Sequence, residues 1–138
     1  IAVSREASRI VVVAESSGEV SVFVSAISRD ADGAPIGLTD PIRVGQRLAD
    51  VSEVSWVGST ELLVLGRTAA GSDTSVYSVR VGGPTDRAFG GQSDTVSLTA
   101  GRDEQSVVVL TDSGSAIGRT GGAWRNLATS VTAIAYPG

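Results

Sequence analysis

The chain has 138 residues, 41% hydrophobic and 19% charged, with a formal net charge of −4. That suffices for one domain with a real core, and places the chain among ordinary globular sequences rather than disordered ones. The longest apolar run, residues 10–14, is five residues, against roughly 20 for a helical membrane span. All eleven basic residues are Arg and they are scattered, so the long-range field repels polyphosphate and argues against nucleic acid as a partner.

Residues 1–4 read as a short strand, and residues 9–15 as a near-continuous apolar strand of the kind buried on both faces. Ser16-Ser17-Gly18 is a hairpin turn. Beyond it, Val20, Val22, Val24 and Ala26 alternate with Ser21, Phe23, Ser25 and Ile27 as a third strand. Asp30 to Pro35 turns the chain toward an outer strand around residues 36–44. A second unit repeats the plan: strand 51–57, turn Gly58-Ser59, strand 61–67, a Gly-rich loop at 70–74, strand 75–81, then 82–85. A third follows at 95–100, 105–111, 115–120 and 124–127.

The recurrence is marked by apolar tetrads at residues 10–13, 62–65 and 107–110. A basic residue then precedes a Gly turn: Arg29 with Asp32-Gly33, Arg80 with Gly82-Gly83, Arg119 with Gly121-Gly122. Units of about 40–50 residues, all strand and no helix, are the pattern of β-propeller blades. The expected fold is therefore all-β: a partial β-propeller of about three four-stranded antiparallel blades, with units at 1–48, 49–92 and 93–130. Residues 131–138 match 51–58 in character and are expected to form a further inner or closing strand. An immunoglobulin-like sandwich also uses short strands with regular turns, but has no reason to repeat one block three times.

Catalytic chemistry is sparse. Without His, Cys or Lys, the chain supplies no Ser-His-Asp triad, thiol nucleophile, Ser-Lys dyad, Schiff base or His/Cys zinc site. The carboxylates Asp30, Asp32, Asp40, Asp73, Asp86, Asp94, Asp103, Glu104 and Asp112 sit at turns, where Asp side chains cap backbone N–H groups. Asp30-Ala31-Asp32-Gly33 opens like a calcium loop, but Ala34, Pro35 and Ile36 offer no further side-chain oxygen, so a polar turn is expected. No catalytic residue, metal or cofactor is expected. Trp56 and Tyr136 occupy the same slot and read as core. Trp124 with Arg125 beside the Gly121-Gly122 turn, and Arg87 in the corresponding segment of the second unit, are candidate surface binding residues, outer-strand packing being the alternative for Trp124.

Several strings resemble one known family: residues 1–13, Val54-Ser55-Trp56-Val57 followed by Leu62-Leu63-Val64-Leu65, Val79-Arg80-Val81-Gly82-Gly83, and Ala135-Tyr136-Pro137-Gly138. They are similar to the C-terminal propeller of the LpqB family of actinobacterial lipoproteins, and the similarity runs through all 138 residues. The resemblance implies a longer protein with a lipid-anchored N-terminal Cys and a GerMN module, held on the outer face of the cytoplasmic membrane. It also implies association with the MtrAB two-component system through the extracellular part of the sensor kinase MtrB.

The expected role is thus a non-enzymatic protein-interaction module of the cell envelope, in contact with the membrane only through a lipid anchor outside this chain. The alternative is glycan or small-ligand binding, with or without hydrolysis, on a rim formed by residues 5–8, 58–60 and 101–104. The absence of an initiating Met reads as an internal portion of a longer polypeptide. Three blades with open faces are expected to self-associate, two copies mimicking a six-bladed ring.

Overall fold

The computed structural model describes residues 1–69, 72–83, 87–90, 92–101 and 106–135, with 87–89 described by backbone alone. Among these described residues, thirteen strands form three antiparallel sheets. The first contains β1 (Ala2–Val3), β2 (Arg9–Ser16), β3 (Glu19–Arg29), β4 (Pro35–Leu38) and β5 (Ile42–Val44). The second contains β6 (Asp50–Val57), β7 (Glu61–Arg67), β8 (Ser75–Arg80) and β9 (Arg87–Gly90). The third contains β10 (Thr95–Ala100), β11 (Val107–Thr111), β12 (Ala116–Thr120) and β13 (Ala123–Ala128). Pairing follows sequence order from inner to outer strand, except that in the first sheet β5 pairs with β3 rather than with β4. The three sheets are blades of a partial propeller, the fold expected from the repeat.

The tetrads are the equivalent positions of the three blades, and their alternation builds both joints between blades. Val11 and Val13 of β2 face the second sheet, where Leu62 and Val64 of β7 meet them with Trp56, Tyr77 and Val79. Leu63 and Leu65, one step along the same strand, point the other way and meet Leu98, Val107 and Val109 of the third sheet. In every tetrad, then, the first and third residues face the preceding blade and the second and fourth the following one. β7 lies between two neighbours, and Leu62, Leu63, Val64 and Leu65 are all 0% exposed. β2 has a neighbour on one side: Val11 is 0% exposed and Val12 37%. The burial of β2 on both faces expected from its apolar run is seen on one face alone among the described residues, where no sheet lies against the other.

Inner strands carry a recurrent irregularity. The β6–β7 register shifts between Val51 and Glu53, and the β10–β11 register shifts between Thr95 and Ser97. Aligned on the tetrads, the extra residues Ser52 and Val96 fall at the same position, a bulge that bends each inner strand in the same place. Opposite the first bulge, a Cβ at Gly66 would lie 2.2 Å from the Asp50 carbonyl oxygen, so only Gly allows the close approach. Inner strands are also joined across blades: the Leu98 amide donates to Glu53 Oε2 (2.5 Å) and the Ala100 amide to Ser55 Oγ (3.2 Å).

Three features differ from the sequence reading. The single outer strand expected in the first unit is two: β3 is long enough to pair with β5 at residues 22–24 and with β4 at 27–29. Between them Thr39 exchanges hydrogen bonds with Ala26 through its amide and its hydroxyl. Second, the arginines ahead of the Gly turns do not share a register. Arg119 pairs with Val107, the first tetrad residue, whereas Arg80 pairs with Glu61, the residue before the tetrad. Third, residues 131–135 form no strand; the Val131 amide donates to the Gly114 carbonyl, 2.9 Å, at the β11–β12 turn. The further inner strand expected at 131–138 is not formed over 131–135, since among the described residues no second strand lies beside it to complete a ladder; 136–138, with Tyr136, lie outside the described residues.

The burial pattern sets the cost of truncating each tetrad residue. Leu63→Ala is expected to lower unfolding free energy by about 2–5 kcal/mol in urea titrations, and Val12→Ala by less than about 1 kcal/mol. The inner-strand stitch predicts that Glu53→Ala costs about 1 kcal/mol and speeds hydrogen exchange at the Leu98 amide, while Glu53→Gln, which keeps an acceptor oxygen, leaves that amide protected.

Candidate functional site

Antiparallel order places the β1–β2, β3–β4, β6–β7 and β10–β11 connections at one end of the sheets. This end is the rim on which the ligand-binding alternative rests, and it is organised by polar contacts to backbone. Ser4 is buried, and its Oγ accepts from the amides of Ser8 (3.2 Å) and Arg9 (3.0 Å), closing the β1–β2 loop on itself. Ala7 in that loop takes a φ of 49°, a left-handed conformation that L-residues seldom adopt.

Arginines then tie loop to loop. Arg29 donates to the carbonyl of Gly33 (2.7 Å) in its own hairpin and to that of Ala7 (2.8 Å) in the β1–β2 loop. Arg9 donates to the Ser59 carbonyl of the second blade. Arg5 reaches the Ala100 carbonyl at the end of β10, 95 positions away and in the third blade (3.3 Å). Each guanidinium presents several donors in a rigid plane, which suits it to holding carbonyls of separate segments.

Between the inner strands lies an open hollow of about 240 Å³, lined by Val3, Arg5, Ser55, Trp56 and Thr99 among others. Trp56 closes its floor: buried, with its indole N–H donating to the Ala2 carbonyl across the first joint (3.3 Å). Among the described residues its lining carries one cation and no carboxylate. Residues 102–105, including Asp103 and Glu104, lie outside the described residues.

The Asp30 turn shows what its carboxylate does in the fold. Asp30 Oδ1 accepts from the amides of Asp32 (3.0 Å) and Ala34 (2.8 Å), and the Gly33 amide donates to the Asp30 carbonyl (3.1 Å). Gly33 has a φ of 84°. The motif is a polar turn, the geometry expected when a carboxylate caps local N–H groups.

The surface candidates separate. Trp124 pairs with Arg119 in β13 and packs, half-buried, against the core between second and third blades. Arg125 pairs with Gly118 and is exposed on the opposite face. Strand alternation therefore prevents the two from forming one anchor. Arg87 pairs with Ser78 in β9, and its side chain lies outside the described residues. The rim arginines Arg5, Arg9 and Arg29 escape a sequence reading because their partners are backbone carbonyls of distant loops. The one local signal is their position beside or after predicted loops.

Two comparisons with known proteins bear on this geometry. The family described as the lipoprotein LpqB beta-propeller domain matches residues 1–137. The lipoprotein LpqB of Streptomyces avermitilis is 26% identical over 144 aligned residues, which cover 100% of this chain and 23% of that protein. The chain thus spans about a quarter of the curated relative it matches. With three pairwise-joined blades and a family match from end to end, the chain belongs to the LpqB beta-propeller domain family.

Proposed function

We propose that this domain is a non-enzymatic protein-interaction module of a cell-envelope lipoprotein, and that its partner is the extracellular domain of a sensor kinase of the MtrB type. The observation that carries the reading is the use made of the rim arginines. Arg9 and Arg29 direct their guanidinium groups, and Arg5 one N–H, to carbonyls of neighbouring loops. They hold the rim in a defined contour, leaving shape and scattered charge as its means of recognition, which suits a folded protein partner. The sequence is consistent with this role in lacking His, Cys and Lys. The relative's description as a lipoprotein supports an extracytoplasmic setting, with the anchor elsewhere in the longer protein.

Glycan or small-ligand binding is the second reading, favoured by the hollow between the inner strands. At about 240 Å³ it is below the roughly 300–1,000 Å³ of most ligand pockets. Its lining fits binding better than hydrolysis, which needs two convergent carboxylates.

Biolayer interferometry against an immobilised MtrB extracellular domain tests the first reading. Saturable binding is expected, weakened at least about tenfold, or about 1.4 kcal/mol, by Arg125→Glu or Arg87→Glu with unchanged thermal stability. No saturable binding at protein concentrations up to about 100 μM, equivalent to about −5.5 kcal/mol, overturns it. Calorimetric binding of a peptidoglycan disaccharide, lost on Arg5→Ala, supports the second.

A further inference from the structure

The joint between the first and second blades leaves a groove on its outer side, and both walls of that groove belong to this chain. It has a volume of about 160 Å³ and is lined by Ile42, Val44, Gln46, Val79, Arg80 and Gly83 among others. Val44 pairs with Val22 and Ile42 with Val24, residues buried in the joint, so Val44 and Ile42 turn their side chains toward the second blade. Val44 and Val79 are buried and make an apolar floor, while Ile42, 54% exposed, forms an apolar wall open to solvent. The chain after β5 passes close over this floor at Gly45, where φ is 64° and a Cβ would meet Leu48 Cδ1 at 3.1 Å and Val79 Cγ2 at 3.9 Å.

Arg80 stands at the end of β8, and the Gly82-Gly83 turn folds back over its stem: a Cβ at Gly83 would meet Arg80 Cγ and Cδ at 3.1 Å. The absent side chain makes a seat for the stem. Glu61, opposite Arg80 on β7, accepts instead from the Ser78 hydroxyl. Among the described residues no hydrogen bond or ion pair holds the Arg80 guanidinium, and the residue is exposed. Arg43 also lines the groove, but its guanidinium pairs with Glu19 at 2.7 Å. The groove thus joins one uncommitted cation to an apolar floor, and its lining carries no carboxylate.

We propose that this groove docks an acidic peptide segment of a partner protein, with an apolar side chain resting on Val44 and Val79 and a neighbouring carboxylate meeting Arg80. Charge complementarity selects the occupant. A guanidinium takes a carboxylate through two parallel N–H donors, and one uncommitted arginine balances one negative charge, whereas a phosphate group, with about two, calls for a second. At about 160 Å³ the groove is smaller than the roughly 300–1,000 Å³ of pockets that enclose a whole small ligand, so it receives side chains of a segment lying across it. The segment is held by those side chains rather than as an added strand, because Pro41 has no N–H to give at this edge. The site uses none of Arg5, Arg9 and Arg29, so it stands or falls apart from the rim contact proposed above.

Methyl NMR of the full chain, titrated with an acetylated, amidated hexapeptide of alternating glutamate and valine, tests the proposal. Saturable shifts of the Val44 and Val79 methyls are expected, with a Kd below about 1 mM. Arg80→Gln, with an unchanged thermal melt, is expected to weaken binding about tenfold, the size of one lost hydrogen bond to a charged group. The same peptide with glutamine in place of glutamate is expected to bind no better to the wild-type chain than the acidic peptide does to the variant. Absence of saturation at about 1 mM peptide overturns the proposal. Shifts centred on Val3 and Val54 move the peptide to the hollow between the inner strands and overturn the groove, and equal binding to Arg80→Gln overturns the carboxylate contact. Displacement of the peptide by an equal concentration of inorganic phosphate overturns peptide docking in favour of a free oxyanion.

Discussion

Burial of one strand on both faces is the constraint from which the rest of this structure follows. β7 sits between two sheets with its four tetrad residues completely covered, which requires a continuous apolar run rather than the alternation of a half-solvated strand. A fully buried aliphatic side chain contributes about 1.5–3 kcal/mol relative to exposure. The middle blade therefore holds the greatest concentration of stabilising contacts, and the flanking blades depend on the faces it presents. The inner-strand stitches from Glu53 and Ser55 add direction to that apolar adhesion, since they fix where β10 lies along β6.

The blade plan was readable in the residues because it depends on local periodicity. The runs at 62–65 and 107–110 have the composition and length of buried strands, and Ser16-Ser17-Gly18 and Asp30-Ala31-Asp32-Gly33 have the chemistry of turns. What escaped the sequence were features set by partners far along the chain. The division of the outer strand into β4 and β5 depends on the unusual length of β3, and the bulges at Ser52 and Val96 become comparable only when their pairing with β7 and β11 is known. Residues 131–135 show the same limit from the other side. They have the character of β6 but no partner strand among the described residues, and composition alone does not make a ladder.

The candidate site was less legible than the fold. Trp124 and Arg125 are neighbours in sequence and look like one anchor, yet a strand sends neighbours to opposite faces, and only the β12–β13 register reveals which faces those are. The outer edge is protected by similarly plain means. Pro35 and Pro41 lack the N–H that an added strand would need, and Arg43 places a charge on β5, devices that discourage pairing at a sheet edge.

The contact from Arg5 to the Ala100 carbonyl ties the first blade to the third. It spans 95 positions and connects blades that do not adjoin, so neither joint alone brings its two ends together. Loop closure over such a length carries an entropic cost that grows only slowly with further length, but it is met in full before the bond can form. In the folded state the two joints hold the first and third blades in place for it. Arg5 thus acts as a latch across the arc, in place only when both joints hold, which makes the curvature of the inner rim a property of all three blades together.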